Sequence, residues 1–329
     1  MNLQEERLRN HLDGYPFTIR EVRHEENGWY VLTDRGRKRI IYCQDENLIR
    51  WSHSWREYLV NQGFRHVERY LVNGQGEHWV SDSTGSYALS DYWEQDYGWS
   101  KRNELQMEGY RTFGELLAYI HLCFDSVEEV YRGRYRKKGT LNETRLKSSY
   151  RHLHTITKEI ESRQRDTKDN WLLYNLSRVV ERVRKAEALY EVSGVENDRT
   201  PLSFAHLPLS SLVYWEPCWY ITGLHNPVLV PRHEDTVALL EQIHELSGTE
   251  GVNQFLSAYA NVRRIPVSEK SYLLALLCYP LPILSGLESL SYSPGERKRI
   301  TAGFQLQGQR EKVLQCVTKI RALYEEDSG

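Results

Sequence analysis

The sequence has no long apolar run. Its most apolar stretch, residues 272–284, is interrupted by Pro280 and Pro282 and falls well short of the roughly 20 residues that cross a bilayer. It reads as a buried helix and its exit, and no membrane span is expected. The opening MNLQEERLRNHLDG is charged throughout, so the apolar centre of a secretory leader is missing and synthesis in the cytoplasm is the expectation. Cysteine is scarce: Cys43, Cys123, Cys218, Cys278 and Cys316 are odd in number and form no CxxC pair, which argues against a disulfide framework and a zinc site. Neither sign of charge prevails, with 43 Lys and Arg against 45 Asp and Glu and a net charge of -2. Nothing pulls the whole chain toward nucleic acid or an anionic membrane, and no nucleic-acid partner is expected outside a local patch. The HExxH, GxSxG and P-loop patterns are also missing, so other enzyme classes have no foothold. His152 and His154 sit two apart in a helical stretch and point to different faces, which rules out an i,i+4 metal pair; no metal is expected.

Tyrosine and tryptophan, by contrast, are abundant: 22 Tyr and 9 Trp stand against 7 Phe. Both combine apolar area with a polar handle suited to interfaces, which favours a protein that packs against others. A chain of 329 residues with 40% hydrophobic content buries a large core, in one sizeable domain or two smaller ones.

After a short amphipathic opening helix, residues 17–23, 29–33 and 39–43 are partly alternating and rich in β-branched and aromatic side chains, and they predict three strands. Glu26-Asn27-Gly28 and Asp34-Arg35-Gly36 supply the turns between them. Residues 45–61 then place Leu48, Trp51, Trp55 and Leu59 at helical spacing, with Asp45 as the cap and Gly63 past the end. Residues 68–72 and 78–81 flank Asn73-Gly74 as further strands, and residues 87–93 make a sixth apolar run. The first 95 residues therefore predict a small antiparallel sheet with one helix. Residues 96–329 are mostly helical. Residues 108–124 form one helix. Leu146, Tyr150, Leu153, Ile156 and Ile160 form one stripe and Leu172, Leu176, Val179, Val183 and Tyr190 another, across a break at 166–170, which predicts a long helical hairpin. Residues 202–219 are short, apolar and proline-interrupted. Helices then resume near Glu234, Val252, Glu269 and Pro294, the last opened by the capping box Ser293-Pro294-Gly295-Glu296.

A small sheet with one crossing helix, then a larger helical region with an irregular loop near residue 206, is an α+β, protein-kinase-like, two-lobed arrangement. The residues carry a resemblance to match. Trp29-Tyr30-Val31-Leu32-Thr33-Asp34-Arg35-Gly36, Glu57-Tyr58-Leu59-Val60-Asn61-Gln62-Gly63-Phe64 and Tyr87-Ala88-Leu89-Ser90-Asp91-Tyr92-Trp93 are similar, in order and spacing, to the CotS family of spore coat proteins of bacilli, and within it to the YutH-like members. The likeness continues through Leu116-Leu117-Ala118-Tyr119-Ile120-His121, Phe204-Ala205-His206 and Leu273-Leu274-Ala275-Leu276-Leu277-Cys278-Tyr279-Pro280, and so spans most of the chain. The resemblance implies a kinase-like fold related to aminoglycoside and choline kinases, a place in sporulation and the spore coat, and other coat proteins as partners.

Phosphoryl transfer on such a fold needs a phosphate cradle, a lysine on the third strand, a catalytic-loop Asp with an Asn after it, and an Asp on Mg²⁺. Matched by the resemblance, these positions are degenerate. Gly28 stands alone where a Gly-rich loop would be. Ile41 falls at the lysine position, and Lys38 reads as a solvated strand lysine unless the register shifts. His206-Leu207-Pro208 matches the catalytic triplet, with Pro208 in place of the Asp, and Val213 in place of the Asn. Thr222 stands where the metal carboxylate belongs, and a hydroxyl is a poor sole substitute for charged oxygen on Mg²⁺. Asp235 keeps the likeness of a structural Asp at the start of the next helix.

Several residues admit a structural and a functional reading. His206 is either a general base or, on its apolar neighbours, a core histidine, and the second is preferred. Arg132-Gly133-Arg134-Tyr135-Arg136-Lys137-Lys138 either grips phosphates or an acidic partner or is a solvated loop. Tyr214, Trp215, Trp219 and Tyr220 either line a pocket or fill a core. The expectation is a catalytically inactive pseudokinase that binds other coat components and uses no cofactor. Two alternatives stand beside it. One is an active small-molecule phosphotransferase working through displaced residues such as Lys38, Asp91, Glu94, Asp96 or Asp235 with ATP and Mg²⁺. The other is a non-catalytic sensor of a nucleotide or sugar phosphate.

Overall fold

The structure is a computed structural model that describes residues 8, 11–12, 14–25, 28–93, 103–125, 136–162, 167–195, 201–215, 217–225, 228–287, 294–320 and 323. The chain divides into two compact units. One is Met1–Gly109 with Leu209–Pro227, and the other is Tyr110–Pro208 with Val228–Gly329. Compared with the division after residue 95 expected from composition, the first unit also takes in residues 209–227. That segment joins it through backbone pairing: Val67 bridges Ile221 in parallel, and the Glu68 amide donates to the Ile221 carbonyl at 2.8 Å.

The first unit is built on strands β1 (Ile19–Glu25), β2 (Gly28–Thr33), β3 (Gly36–Cys43), β4 (Val80–Ser81) and β5 (Ser86–Asp91), ordered β1-β2-β3-β5-β4 and antiparallel throughout. The β2–β3 turn needs Gly36, whose φ is 87°, a left-handed conformation open to glycine. Alternation assigns the two faces of the sheet. Val22, Val31, Ile40 and Leu89 pack with Leu8, Leu12 and Tyr15 on one side; Ile41, Cys43 and Ala88 pack with Ile49 and Tyr70 on the other. Helix α1 (Glu46–Asn61) crosses this second face. Asp45 caps it, accepting from the Asn47 amide at 3.0 Å, and Gly63 at φ 94° follows its end. Residues 68–72 were expected as a strand and are not one. Their hydrogen bonds divide between two neighbours, with Glu68 on Ile221 and Leu71 on Leu89, so no continuous ladder forms. The hairpin β7 (Leu212–Trp215) and β8 (Cys218–Ile221), preceded by a 3₁₀ turn at Leu209–Ser211, completes the unit. The first residues of helix α2 (Asn103–Phe124) also belong here.

The second unit holds the rest of α2, helices α3 (Glu143–Glu161), α4 (Thr167–Ser193), α5 (Glu234–Val262), α6 (Val267–Cys278), α7 (Leu281–Leu287) and α8 (Pro294–Lys319), and the short pair β6 (Leu202–Phe204) and β9 (Leu229–Pro231). The predicted stripes face inward: Leu146, Leu153, Ile156, Ile160, Leu172, Leu176, Val179, Val183 and Tyr190 are buried, and Tyr150 is half-buried. Two helices were expected from Glu234 and Val252, and α5 is indeed two helical stretches parted at Gly248, whose non-helical φ of 60° and ψ of -150° suit glycine alone. Residues 272–284 form the end of α6, a proline exit and α7, and Leu273, Leu277, Ile283 and Leu284 are buried. Among the described residues no single helix is long and apolar enough to cross a membrane. Helix α8 begins at Pro294 as predicted, while the side chains of its capping box lie outside the described residues.

Candidate functional site

Within the first unit, one polar cluster lies on the α1 side of the sheet. Helix α1 buries Ile49, Ser52, Arg56 and Leu59, a 3-4-3 spacing that turns one stripe inward. Arg56 is a cation in that stripe, 1% exposed, and a buried guanidinium has to have its donors matched. Nε donates to the Glu68 carbonyl at 2.9 Å. Nη1 donates to the Ser52 carbonyl at 2.9 Å and to its hydroxyl. Nη2 donates to the Gly223 carbonyl and lies 3.2 Å from Nδ1 of His225.

Glu68 is the anion of the cluster. Its Oε2 accepts from the Gly223 amide at 2.6 Å and stands 3.3 Å from Nε2 of His225, and its Oε1 accepts from the Ser90 hydroxyl, with Arg39 Nη1 at 3.8 Å. Burial on its own raises a carboxyl pKa, yet His225, Arg39 and Arg56 outweigh it and hold Glu68 well below the usual range. Burial, opposed by Glu68 and reinforced by Arg56, lowers the pKa of His225. Because Arg56 has only hydrogens to offer, Nδ1 of His225 accepts and Nε2 carries the proton toward Glu68. The Tyr70 hydroxyl, 2.9 Å from Ser52 Oγ and 3.3 Å from His225 Nδ1, is pushed up to about 12, chiefly by burial. The cluster thus ties α1 and residues 68–70 to residues 223–225. There Gly223 and Leu224 both have positive φ, 80° and 61°, and a leucine in that region stores strain.

The residues matched to a kinase site lie as follows. Ile41 is buried on the α1 face of β3, in register with Ala88. On the same face Arg39 precedes it and Cys43 follows it, so no lysine of β3 faces α1. Lys38 is on the opposite face. The reading of Lys38 as solvated is corrected: it is 8% exposed, because its ammonium bonds Asp91 across the β3–β5 pair. Val213 is buried and pairs with Tyr220. Thr222 is buried after β8, its amide donating to the Ser211 carbonyl at 2.8 Å. In the second unit Pro208 is half-buried and His206 is exposed. The preferred core reading of His206 is therefore corrected: sheet pairing ends with the Ala205 amide on the Val228 carbonyl, and the chain leaves the core there. Of the four aromatics, Trp219 is buried with Nε1 3.2 Å from Glu108 Oε1, Tyr220 stacks on Trp93 at 4.7 Å, and Trp215 is exposed. Glu94, Asp96 and residues 132–135 of the basic segment lie outside the described residues.

Asp235 opens α5 and is fully buried. It accepts from the Ser203 hydroxyl and from the Thr236 amide at 2.7 Å, with His121 Nε2 at 3.2 Å. His121 Nδ1 lies 2.7 Å from the Tyr259 hydroxyl, and burial, opposed by Asp235, pushes its pKa down to about 3. Beside it Arg263 grips Glu269 through two bonds of 2.9 and 2.6 Å, and His233 reaches the same carboxylate at 2.9 Å. This is a closed internal frame: every oxygen of Asp235 and Glu269 is engaged by protein. Among the described residues no three His, Cys, Asp or Glu side chains are grouped to hold a metal ion.

Reading the sequence for kinase landmarks missed Arg56, Glu68 and His225. Arg56 did carry a signal, being a charged residue in the buried i, i+3, i+7 stripe of α1. Glu68 and His225 carried none, since only folding brings them together.

No family model matches the chain, and no curated protein matches it by sequence. Solved structures do. An aminoglycoside phosphotransferase from Alicyclobacillus acidocaldarius superposes with a TM-score of 0.67 at 16% identity, covering 94% of this chain and 95% of that one. A spectinomycin phosphotransferase bound to AMP gives 0.57 at 14% identity over 97% and 98%, and an amicoumacin kinase gives 0.53 at 12% identity over 98% and 96%. The chain therefore has the kinase-like fold of the aminoglycoside phosphotransferases, a small antiparallel sheet unit and a larger helical one. Identities this low define the fold.

Proposed function

We propose that this protein is a catalytically inactive member of the kinase-like fold that works by binding other proteins, and that its place is the spore coat. The observation that carries the first part is the inverted charge of α1. Phosphoryl transfer by protein kinases uses a β3 lysine paired with a glutamate from the crossing helix. Here Ile41 occupies the β3 face toward α1, and the buried charge on α1 is a cation, Arg56, already saturated by the Glu68, Ser52 and Gly223 carbonyls and by His225. Thr222 and Pro208 add no carboxylate. Among the described residues that could serve an active enzyme instead, Lys38 and Asp91 bond each other, and Asp235 is fully buried with its oxygens engaged. Resemblance to the CotS family supports the coat and its proteins as the setting, and the surplus of Tyr and Trp suits a protein that packs against partners.

Calorimetric titration with ATP and Mg²⁺ tests the reading. No Mg²⁺-dependent heat and no turnover are expected; Mg²⁺-dependent micromolar binding with turnover would overturn the reading, and Mg²⁺-dependent binding without turnover would favour the sensor.

A further inference from the structure

Inside the second unit lies a cleft of about 450 Å³ lined by none of the residues matched to a kinase site. Its wall carries three successive cations, Arg136, Lys137 and Lys138, and its apolar side is Leu141, Tyr190 and Pro231. Among the described residues Glu143 is the one carboxylate in the lining, and the Lys147 ammonium bonds it. Among the described residues the lining thus combines net positive charge with apolar side chains.

The backbone that presents these cations is held in place before any ligand arrives. Arg136 bridges Leu229 in parallel, and the Lys137 amide donates to the Leu229 carbonyl at 2.7 Å, which adds the segment to the edge of β9. The chain then turns over Glu234 at Gly139, where a Cβ would stand 2.4 Å from Glu234 Oε1 and 2.6 Å from the Tyr272 hydroxyl. Only glycine allows that approach. Asn142 closes the turn, donating to the Gly139 carbonyl at 3.0 Å and accepting from the Arg145 amide at 2.9 Å, and Arg145 Nη1 donates to the Thr140 carbonyl at 3.1 Å. Beneath, Glu234 takes bonds from the Thr140 hydroxyl at 2.6 Å and the Tyr272 hydroxyl at 2.9 Å, and burial raises its pKa. Glu234 is thereby bonded to Thr140 and Tyr272. Successive cations on a fixed backbone, Arg136 also donating to the Val195 carbonyl at 3.5 Å, attract a multivalent anion more than a single charge, and the volume falls in the range of small-molecule sites, roughly 300–1,000 Å³.

We infer that this cleft binds a small organic phosphate, its phosphate groups on Arg136, Lys137 and Lys138 and its organic body against Tyr190 and Leu141. The assignment is independent of whether the protein turns over ATP. The test is calorimetric titration of the full chain with fructose 1,6-bisphosphate, with fructose as the uncharged control, at fixed ionic strength. Both lysine side chains are exposed, so the Lys137→Ala/Lys138→Ala double variant keeps the fold, which its melting temperature checks. Lys158→Ala, an exposed change on α3 away from the cleft, controls for general charge. The expected result is bisphosphate binding with Kd below about 1 mM, no binding of fructose, a loss of tenfold or more in the double variant, and no change in Lys158→Ala. No binding by the native protein, equal binding by the double variant, or an equal loss in Lys158→Ala would each overturn the assignment.

Discussion

The guanidinium of Arg56 lies 3.2 Å from Nδ1 of His225, a residue 169 positions further along the chain. One helix of the first unit is thereby fastened to the strained turn after β8, through a group that can only donate meeting one that has to accept.

Removing that guanidinium leaves Glu68 buried, with His225 neutral beside it and Arg39 at 3.8 Å. The buried carbonyls of Glu68, Ser52 and Gly223 also lose their donor, and a buried acceptor left unsatisfied costs about 1–3 kcal/mol, so Arg56→Met is expected to lose about 3 kcal/mol or more in urea unfolding. Ser52→Ala removes one hydroxyl from the same network and is expected to cost about 1 kcal/mol. Equal stability of Arg56→Met and the native protein would mean that the cluster does not hold α1.

Acid is expected to unfold the protein from an unusually high pH. His121, His225 and His233 are buried and their folded pKa values are all lowered, first by burial. His121 faces Asp235, Arg232, His233 and Tyr259; His225 faces Glu68, Arg56 and Arg39. Since the unfolded histidines bind protons first, at about pH 6.5, the stability they contribute is full above that pH. For His121 it is lost progressively from there down to its folded value of about 3, as linkage requires. Glu68 and Glu269, also lowered, contribute stability that is present above about pH 4.5 and is lost below it. Urea midpoints at pH 7, 6 and 5 should fall at each step, and His121→Gln should flatten that slope. A midpoint independent of pH over this range would contradict neutral buried histidines.

Restoring one acid is not expected to restore chemistry. Pro208→Asp supplies a candidate base, but Ile41 and Thr222 remain without the lysine and the metal carboxylate that phosphoryl transfer requires. Product formation from ATP in a coupled assay should stay at the level of a protein-free control. Measurable turnover in this single variant would undo the residue matching of the loop near 206.

Two glycines of the helical unit are expected to resist substitution for different reasons. At Gly114 an added Cβ would stand 2.2 Å from the Phe255 carbonyl oxygen, so Gly114→Ala forces α2 and α5 apart and should cost about 1–3 kcal/mol or more. Gly248→Ala meets nothing within 4 Å, yet its backbone conformation, φ 60° and ψ -150°, costs an alanine roughly 1–3 kcal/mol. Thermal melts of each variant check both costs, and a native melting temperature in Gly114→Ala would mean that α2 and α5 do not approach so closely.

Much of the fold is legible in the chain itself because it is local. The alternation of residues 29–33 and 39–43, Gly36 in its turn, Asp45 at its cap, and the inward stripes of α3 and α4 depend on periods of two and 3.6 residues and on conformations that single residue types favour. Under the matching that the resemblance implies, Ile41, Pro208, Val213 and Thr222 stand where phosphoryl transfer needs other groups, and they are chemically unlike those groups whatever surrounds them. Tertiary structure decided what stands in their stead. That Lys38 is spent on Asp91, that His206 faces solvent, that Glu68 leaves its expected strand to meet Arg56 and His225, and that Arg136 to Lys138 edge a cleft all follow from contacts between segments far apart in sequence. Such contacts have no period to announce them, and burial, which decides whether a charge needs a partner, is a property of the packed chain alone.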